Sequence, residues 1–143
     1  MKFIDMDGVL GDFYGWAMSK SPEDPIKTAV EHYKEAFIES KVIEDNLYLL
    51  NGEYRILSSL PSVSHVLKYT TNVDEVLYTL KENKLKFADS LGIGRSNVII
   101  LNGSHEKVLY AKGNILYDDW YRNIERWNDA GGTGILIKNC SVV

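Results

Sequence analysis

Phe3-Ile4-Asp5-Met6-Asp7-Gly8-Val9-Leu10 places two carboxylates one residue apart at the end of an apolar run, with a glycine directly after them. In a strand, side chains i and i+2 share a face, so an extended reading sets Asp5 and Asp7 side by side. Like charges at that spacing repel unless something compensates them, and a metal ion is the simplest compensator. A second acidic pair, Asp118-Asp119, follows another apolar run, Ile115-Leu116-Tyr117.

Outward from the first pair, residues 2–5 read as a short buried strand and residues 8–11 as a glycine-containing turn. Regular alternation starts after Pro61. Residues 64–69 are predicted as a strand ending in Thr70-Thr71-Asn72, and residues 73–91 as a helix stopped by Gly92. Residues 97–101 (NVIIL) read as a buried strand and 106–111 as a helical turn. Residues 114–117 read as a strand, 120–130 as a helix stopped by Gly131-Gly132, and 134–137 as the last strand. Strands alternating with helices predict an α/β fold with a parallel sheet covered on both faces. In such sheets ligands bind outside the carboxyl ends of the strands. Asp5, Asp7, Thr70, Asp118 and Asp119 all fall at or just past such ends.

Residues 13–61 differ, being rich in charge and aromatics. Ser21-Pro22-Glu23-Asp24-Pro25 is a helix-start signal. Ile26, Val30, Tyr33, Ala36 and Phe37 then recur at helical spacing, and residues 46–58 read as a short helix or a hairpin. The expected organisation is a core of residues 1–12 and 62–143 with a small, mainly helical insertion over 13–61.

The chain has 143 residues, 45% of them hydrophobic, a net charge of −4 and one cysteine. That is one domain's length with material for a core. The charge is not that of a strongly basic nucleic-acid binder, and an internal disulfide is excluded. No apolar run is long enough for a membrane-spanning helix. With a strand beginning at about Lys2, no signal peptide is expected, and a cytoplasmic protein is the default.

Clustered carboxylates with open positions suit a hard cation such as Mg²⁺, which takes oxygen ligands and keeps water or phosphate oxygens. Asp5 and Asp118 are the leading ligands, with Asp119 acting directly or through water. One carboxylate can attack phosphorus, and its neighbour can protonate the leaving oxygen and then activate water. The Thr70 hydroxyl is a candidate phosphoryl ligand. Lys107 is the candidate cation, with Lys112 its rival.

The ordered set resembles the haloacid-dehalogenase-like phosphohydrolase superfamily. Asp5-Met6-Asp7-Gly8-Val9 looks like its first motif, Thr70 its second, Lys107 its third and Asp118-Asp119 its fourth. The run from Asp5 to Phe13, the stretch from Lys107 to Asp119, and Asn123-Ile124 through Gly132 are similar to the 5'(3')-deoxyribonucleotidase branch and its phage relatives. The resemblance implies a Rossmann-like core with strand order 5-4-1-2-3 and a cap inserted after the first strand. It implies Asp5 as nucleophile, and Asp7 as general acid/base whose backbone carbonyl also reaches Mg²⁺. Thr70 and Lys107 would hold the phosphoryl group, and Asp118 would complete the metal shell. The expected activity is hydrolysis of a small phosphomonoester, foremost a deoxyribonucleoside monophosphate. The alternatives are a 3'-phosphatase on nucleic-acid ends, a sugar-phosphate phosphatase, or a non-catalytic binding protein of the same fold.

Phe13, Tyr14 and Trp16, with Thr71, are candidate substrate contacts; the aromatics would stack on a base or else seal the insertion against the core. The charge run over 81–86 reads as a solvated helix face. His32, His65 and His105 read as structural or solvent-facing. Residues 131–134 read as a helix stop and turn, not a phosphate loop, and Cys140 carries no nucleophile pattern.

Overall fold

The computed structural model describes residues 1–138. In chain order its strands are β1 (Lys2–Ile4), β2 (Gly11–Asp12), β3 (Lys41–Val42), β4 (Arg55–Ser59), β5 (Val98–Leu101), β6 (Ile115–Asp118) and β7 (Thr133–Leu136). The helices are α1 (Phe13–Lys20), α2 (Pro25–Glu31), α3 (Val63–Val66), α4 (Val73–Ser90) and α5 (Tyr121–Asp129). Five strands form one parallel sheet in the order β5-β4-β1-β6-β7, and β2 and β3 form a separate antiparallel pair. The central strand β1 pairs Phe3 with Arg55 on one side and with Leu116 on the other. Parallel neighbours need long crossovers. Here the segment containing α1 and α2 joins β1 to β4, α3 and α4 join β4 to β5, and α5 joins β6 to β7; a 3-10 helix over Ser104–Tyr110 lies on the longer return from β5 to β6.

Alternation along the strands divides the core between the two faces. Phe3, Leu57 and Leu116 pack with Ala111 and the fully buried Trp127 of α5. Ile4 and Ile56 pack on the opposite face with Met6, Val9, Leu10, Leu49 and Phe87. A third cluster joins Phe13, Trp16, Ala29, Val30 and Phe37 to Leu60, Val66, Val76 and Leu80. The segment between β1 and β4 therefore shares its core with α3 and α4. Asn83 of α4 fastens it further, donating through Nδ2 to the Tyr33 carbonyl (2.8 Å) and the Lys34 carbonyl (3.3 Å).

The structure departs from the sequence reading at three places. The strand expected over 64–69 is instead the short helix α3, and the strand that enters the sheet is β4, inside the segment read as insertion. The cause is local: Pro61 ends the extended run, and the Ser62 side chain caps α3 by accepting from the His65 amide (3.2 Å). The helical period from Ile26 to Phe37 also breaks early. Helix α2 ends at Glu31, and Phe37 turns the chain with φ of 69°. The reading of residues 46–58 resolves into a 3-10 helix over Glu44–Leu50 followed by β4. No helix among the described residues is long and apolar enough to cross a membrane. Cys140 lies outside the described residues.

Candidate active site

Asp5 follows β1 directly, Ser59 ends β4, and Asp118 ends β6, so three neighbouring strands deliver oxygen groups to one edge of the sheet. Asp5 extends the ladder, donating its amide to the Tyr117 carbonyl (2.9 Å). The chain then doubles back. The Met6 carbonyl accepts from the Leu10 and Gly11 amides (2.9 and 3.1 Å), and the Gly8 amide donates to the Gly11 carbonyl (2.8 Å). Gly8 is required here twice over. Its φ is +84°, and a Cβ would sit 1.9 Å from Asp119 Oδ2.

Asp5, Asp118 and Asp119 each offer a carboxylate oxygen, all within 4.8 Å of one another. Lys107, buried on its 3-10 helix, bridges two of them, donating to Asp5 Oδ1 and to Asp118 Oδ2 at 2.9 Å each. Asp118 also accepts from the Asn123 Nδ2 group (3.0 Å) and, through Oδ1, from the Trp120 amide (3.0 Å). Burial first, and the Asp118 carboxylate second, push the Asp5 carboxyl well above its usual range, with Lys107 opposing. Burial and then Asp118 push Asp119 up to about 7. For Lys107, burial is the largest influence and disfavours its charge; Asp5 and Asp118 override it and hold the ammonium above the ordinary lysine range.

Asp7 sits beside this group on the doubled-back loop. Its Oδ2 accepts from Lys84 Nζ (2.6 Å), which also donates to Ser58 Oγ (2.8 Å) and the Ser59 carbonyl (3.0 Å). Lys84 is fully buried on α4, contrary to the reading of its run as a solvated face. The reason is its place on the helix: 76, 80, 83, 84 and 87 all lie on the buried stripe.

A cleft of about 370 Å³ opens over these groups. Asp5, Asp7, Lys107, Asp118 and Asp119 line it together with Phe13 and Tyr14, as does Ser59. Phe13 stacks on Phe37 (centroids 4.8 Å apart) and both rings face the cleft. Tyr14 is half-exposed, and burial followed by the Asp119 charge pushes its hydroxyl up to about 12. Trp16 is not in this wall. It stacks on Phe13 from outside the cleft and donates through Nε1 to Glu39 (3.0 Å). Thr70 and Thr71 are not in it either, and the Thr70 hydroxyl oxygen accepts from the Asn72 amide (3.1 Å). Lys112 is exposed and outside the cleft.

Sequence reasoning missed Ser59, Lys84, Asn123 and Trp120. His65 and His105 also line the cleft. His65 Nε2 lies 2.6 Å from Asp24 Oδ2, which accepts the Tyr69 hydroxyl at 2.6 Å as well. The signal for Ser59 was present in Arg55-Ile56-Leu57, an apolar pair ahead of Ser58-Ser59 and the break at Pro61.

The acidic group fits a divalent cation. Three carboxylates within reach of one another, two of them pushed upward by burial and then by mutual repulsion, are a hard oxygen donor set with unbalanced charge. The buried Asn123 Oδ1, which has no hydrogen-bond partner, adds a further oxygen in the same wall.

Among solved structures the chain is similar to a hydrolase from Streptococcus pneumoniae TIGR4, with 16% identity and a TM-score of 0.48, covering 98% of this chain and 93% of that one. A likeness of that degree bears on neither substrate nor mechanism. No protein-family model matches the chain, and no curated protein matches it.

Proposed function

We propose that the chain is a Mg²⁺-dependent phosphomonoesterase of the haloacid-dehalogenase-like type. The observation that carries this reading is the meeting of Asp5, Asp7, Asp118, Asp119 and Lys107 in one cleft at the carboxyl edge of a parallel sheet. Asp5, Asp118 and Asp119 would hold Mg²⁺, together with the backbone carbonyl of Asp7. When bound, the cation supplies charge neutralisation for the phosphoryl oxygens.

The Asp5 carboxylate attacks phosphorus. The P–O bond to the leaving alcohol breaks, and that oxygen takes a proton from Asp7. Water then attacks the aspartyl-phosphate with Asp7 accepting its proton, which releases inorganic phosphate and restores Asp5. Lys107 keeps Asp5 and Asp118 in register and offsets charge near the phosphoryl group. The hydroxyl that binds the phosphoryl group in this reading belongs to Ser59, which lines the cleft, and not to Thr70.

The segment from α1 to the start of β4 acts as the cap that chooses the substrate. Phe13, Tyr14, Phe37 and Trp120 give the cleft an aromatic lining beside the acidic group, which suits a base-bearing monophosphate such as a deoxyribonucleoside monophosphate. The two lysines facing the carboxylates, Lys84 and Lys107, are already paired, and the chain carries a net −4. Both facts count against a polyanionic nucleic-acid end. The resemblance to the deoxyribonucleotidase branch supports the same choice.

The test is a Mg²⁺-dependent screen over nucleoside monophosphates, a 3'-phosphorylated oligonucleotide and a sugar phosphate, with Asp5→Asn as control. The expected result is turnover greatest on deoxyribonucleoside monophosphates and a loss of at least about 10³-fold in Asp5→Asn, with a cooperative melting curve showing that the variant is folded. Full activity in Asp5→Asn would remove the nucleophile, and no turnover of any phosphomonoester would remove the function.

A further inference from the structure

Lys84 has no role in the chemistry derived above, yet it is the most unusual residue on α4. It occupies the helix's buried stripe, between Leu80 and Phe87, where a leucine or methionine would pack at no electrostatic cost. Burying an ammonium is unfavourable unless its protons are all satisfied. Lys84 donates to three acceptors, Asp7 Oδ2, Ser58 Oγ and the Ser59 carbonyl. The Phe37 ring covers the same ammonium at 4.4 Å.

Asp7 is the partner with most to gain. It stands on a reversing loop, and its side chain keeps 24% exposure, against 11% for Asp5. A loop carboxylate open to the cleft has two torsions to fix before it can meet a leaving oxygen. Lys84 holds Oδ2 from a helix that is itself packed into the core, and Oδ2 is thereby fixed while Asp7 lines the cleft. Ser58 and the Ser59 carbonyl tie the lysine to the end of β4, the strand beside Asp5's own. Phe37, held at a φ of 69°, closes the remaining side from the inserted segment.

We propose that Lys84 is the positioning residue for Asp7, fixing the carboxylate that passes the proton to the leaving alcohol and later takes one from water. This rests on the phosphatase reading above. The role makes a selective demand. An alkyl phosphomonoester has a poor leaving group and needs the proton, whereas p-nitrophenyl phosphate departs without it. The ratio kcat/KM reports steps up to phosphoryl transfer, so it isolates this demand from the later hydrolysis.

The experiment compares Lys84→Met, Asp7→Asn and the double variant on both substrates, with melting curves for each. Lys84→Met is expected to lose about 10²-fold in kcat/KM on the alkyl ester and less than about threefold on p-nitrophenyl phosphate. In the Asp7→Asn background the same change should have no further effect on the alkyl ester. Equal losses on the two substrates, or an added loss in the double variant, would overturn the positioning role and leave Lys84 a structural residue. Ser58→Ala, which removes one tie and keeps the lysine, carries the same test should Lys84→Met fail to fold. It should show a smaller loss with the same substrate bias, and a uniform loss or none would overturn the proposal. Inactivity of the unmodified chain on both substrates would instead overturn the phosphatase reading, and Lys84's role with it.

Discussion

At the scale of single residues, the acidic group is a charge imbalance held in place by the backbone. Gly8 gives Asp119 the room it occupies, and Lys107 ties Asp5 to Asp118. Without a cation, burial and mutual repulsion leave Asp119 titrating at about 7 and Asp5 well above the ordinary carboxyl value of 3.8. Between about pH 4 and about pH 7 the folded chain holds protons that the unfolded chain has released, so stability falls as pH rises through that window. Asp24 works in the opposite sense and lower down. Burial opposes its charge, but the hydrogen bonds from Tyr69 and His65 prevail and hold it at about 2, so its contribution is complete above about pH 4 and is lost towards pH 2. In the proposed reading a divalent cation would replace the protons of the acidic group and bind best where they have left. Millimolar Mg²⁺ is therefore predicted to raise the melting temperature by several degrees at about pH 8 and far less at about pH 5. Asp119→Asn should reduce the rise at the higher pH. Equal shifts at both pH values, read by differential scanning calorimetry, would contradict this account of the carboxylates.

At the scale of elements, β4 brings Ser59 to the cleft, where Thr70 was expected. Ile56, Leu57 and Ser58 are all fully buried, but a strand with two serines at its end is a weak hydrophobic signal. Residues 64–69 offered Val66, Leu67 and Tyr69 and looked the better strand. What outweighs them is Pro61-Ser62, a stop followed by a helix cap, which the alternation of apolar residues does not register. The same limit hid Lys84. A lysine in a charged run is normally solvated, and only the partners brought from β4 and the Asp7 loop, far away in sequence, make its burial tolerable. By contrast the place of Lys107 beside Asp5 and Asp118 was legible, because it follows the carboxyl end of β5 by only a few residues. The element-level prediction separates the two hydroxyls. Ser59→Ala should lower kcat/KM about 10- to 100-fold, the worth of one hydrogen bond to a charged group. Thr70→Ala should leave it within about twofold. Steady-state kinetics on one phosphomonoester decides between them, and the reverse ranking would return the role to Thr70.

At the scale of the whole molecule, the parallel sheet is what lets residues so far apart in sequence act together. Asp5 directly follows the first strand and Asp118 ends β6, adjacent in space because β1 and β6 pair directly. That convergence was legible from the order of the acidic pairs and the alternation of strands and helices, since a parallel sheet has one edge where all its strands end. The segment between β1 and β4 was not. Its aromatics, Phe13, Trp16 and Phe37, pack jointly with Val66, Val76 and Leu80, and no periodicity within the segment announces partners that lie across the fold. It supplies part of the cleft's wall, while α4 supplies the buried lysine behind Asp7. In the proposed reading the chemistry of phosphoryl transfer lies on the sheet and the selectivity on the insertion. The claim on which the rest depends is a covalent phosphate on Asp5. Rapid acid quenching during turnover of a phosphomonoester with Mg²⁺, followed by peptide mass spectrometry, tests it directly. Phosphate is expected on the peptide containing Asp5, absent in Asp5→Asn and accumulating in Asp7→Asn with p-nitrophenyl phosphate. Turnover with no phosphate on that peptide, under conditions where Asp7→Asn slows hydrolysis, would contradict it.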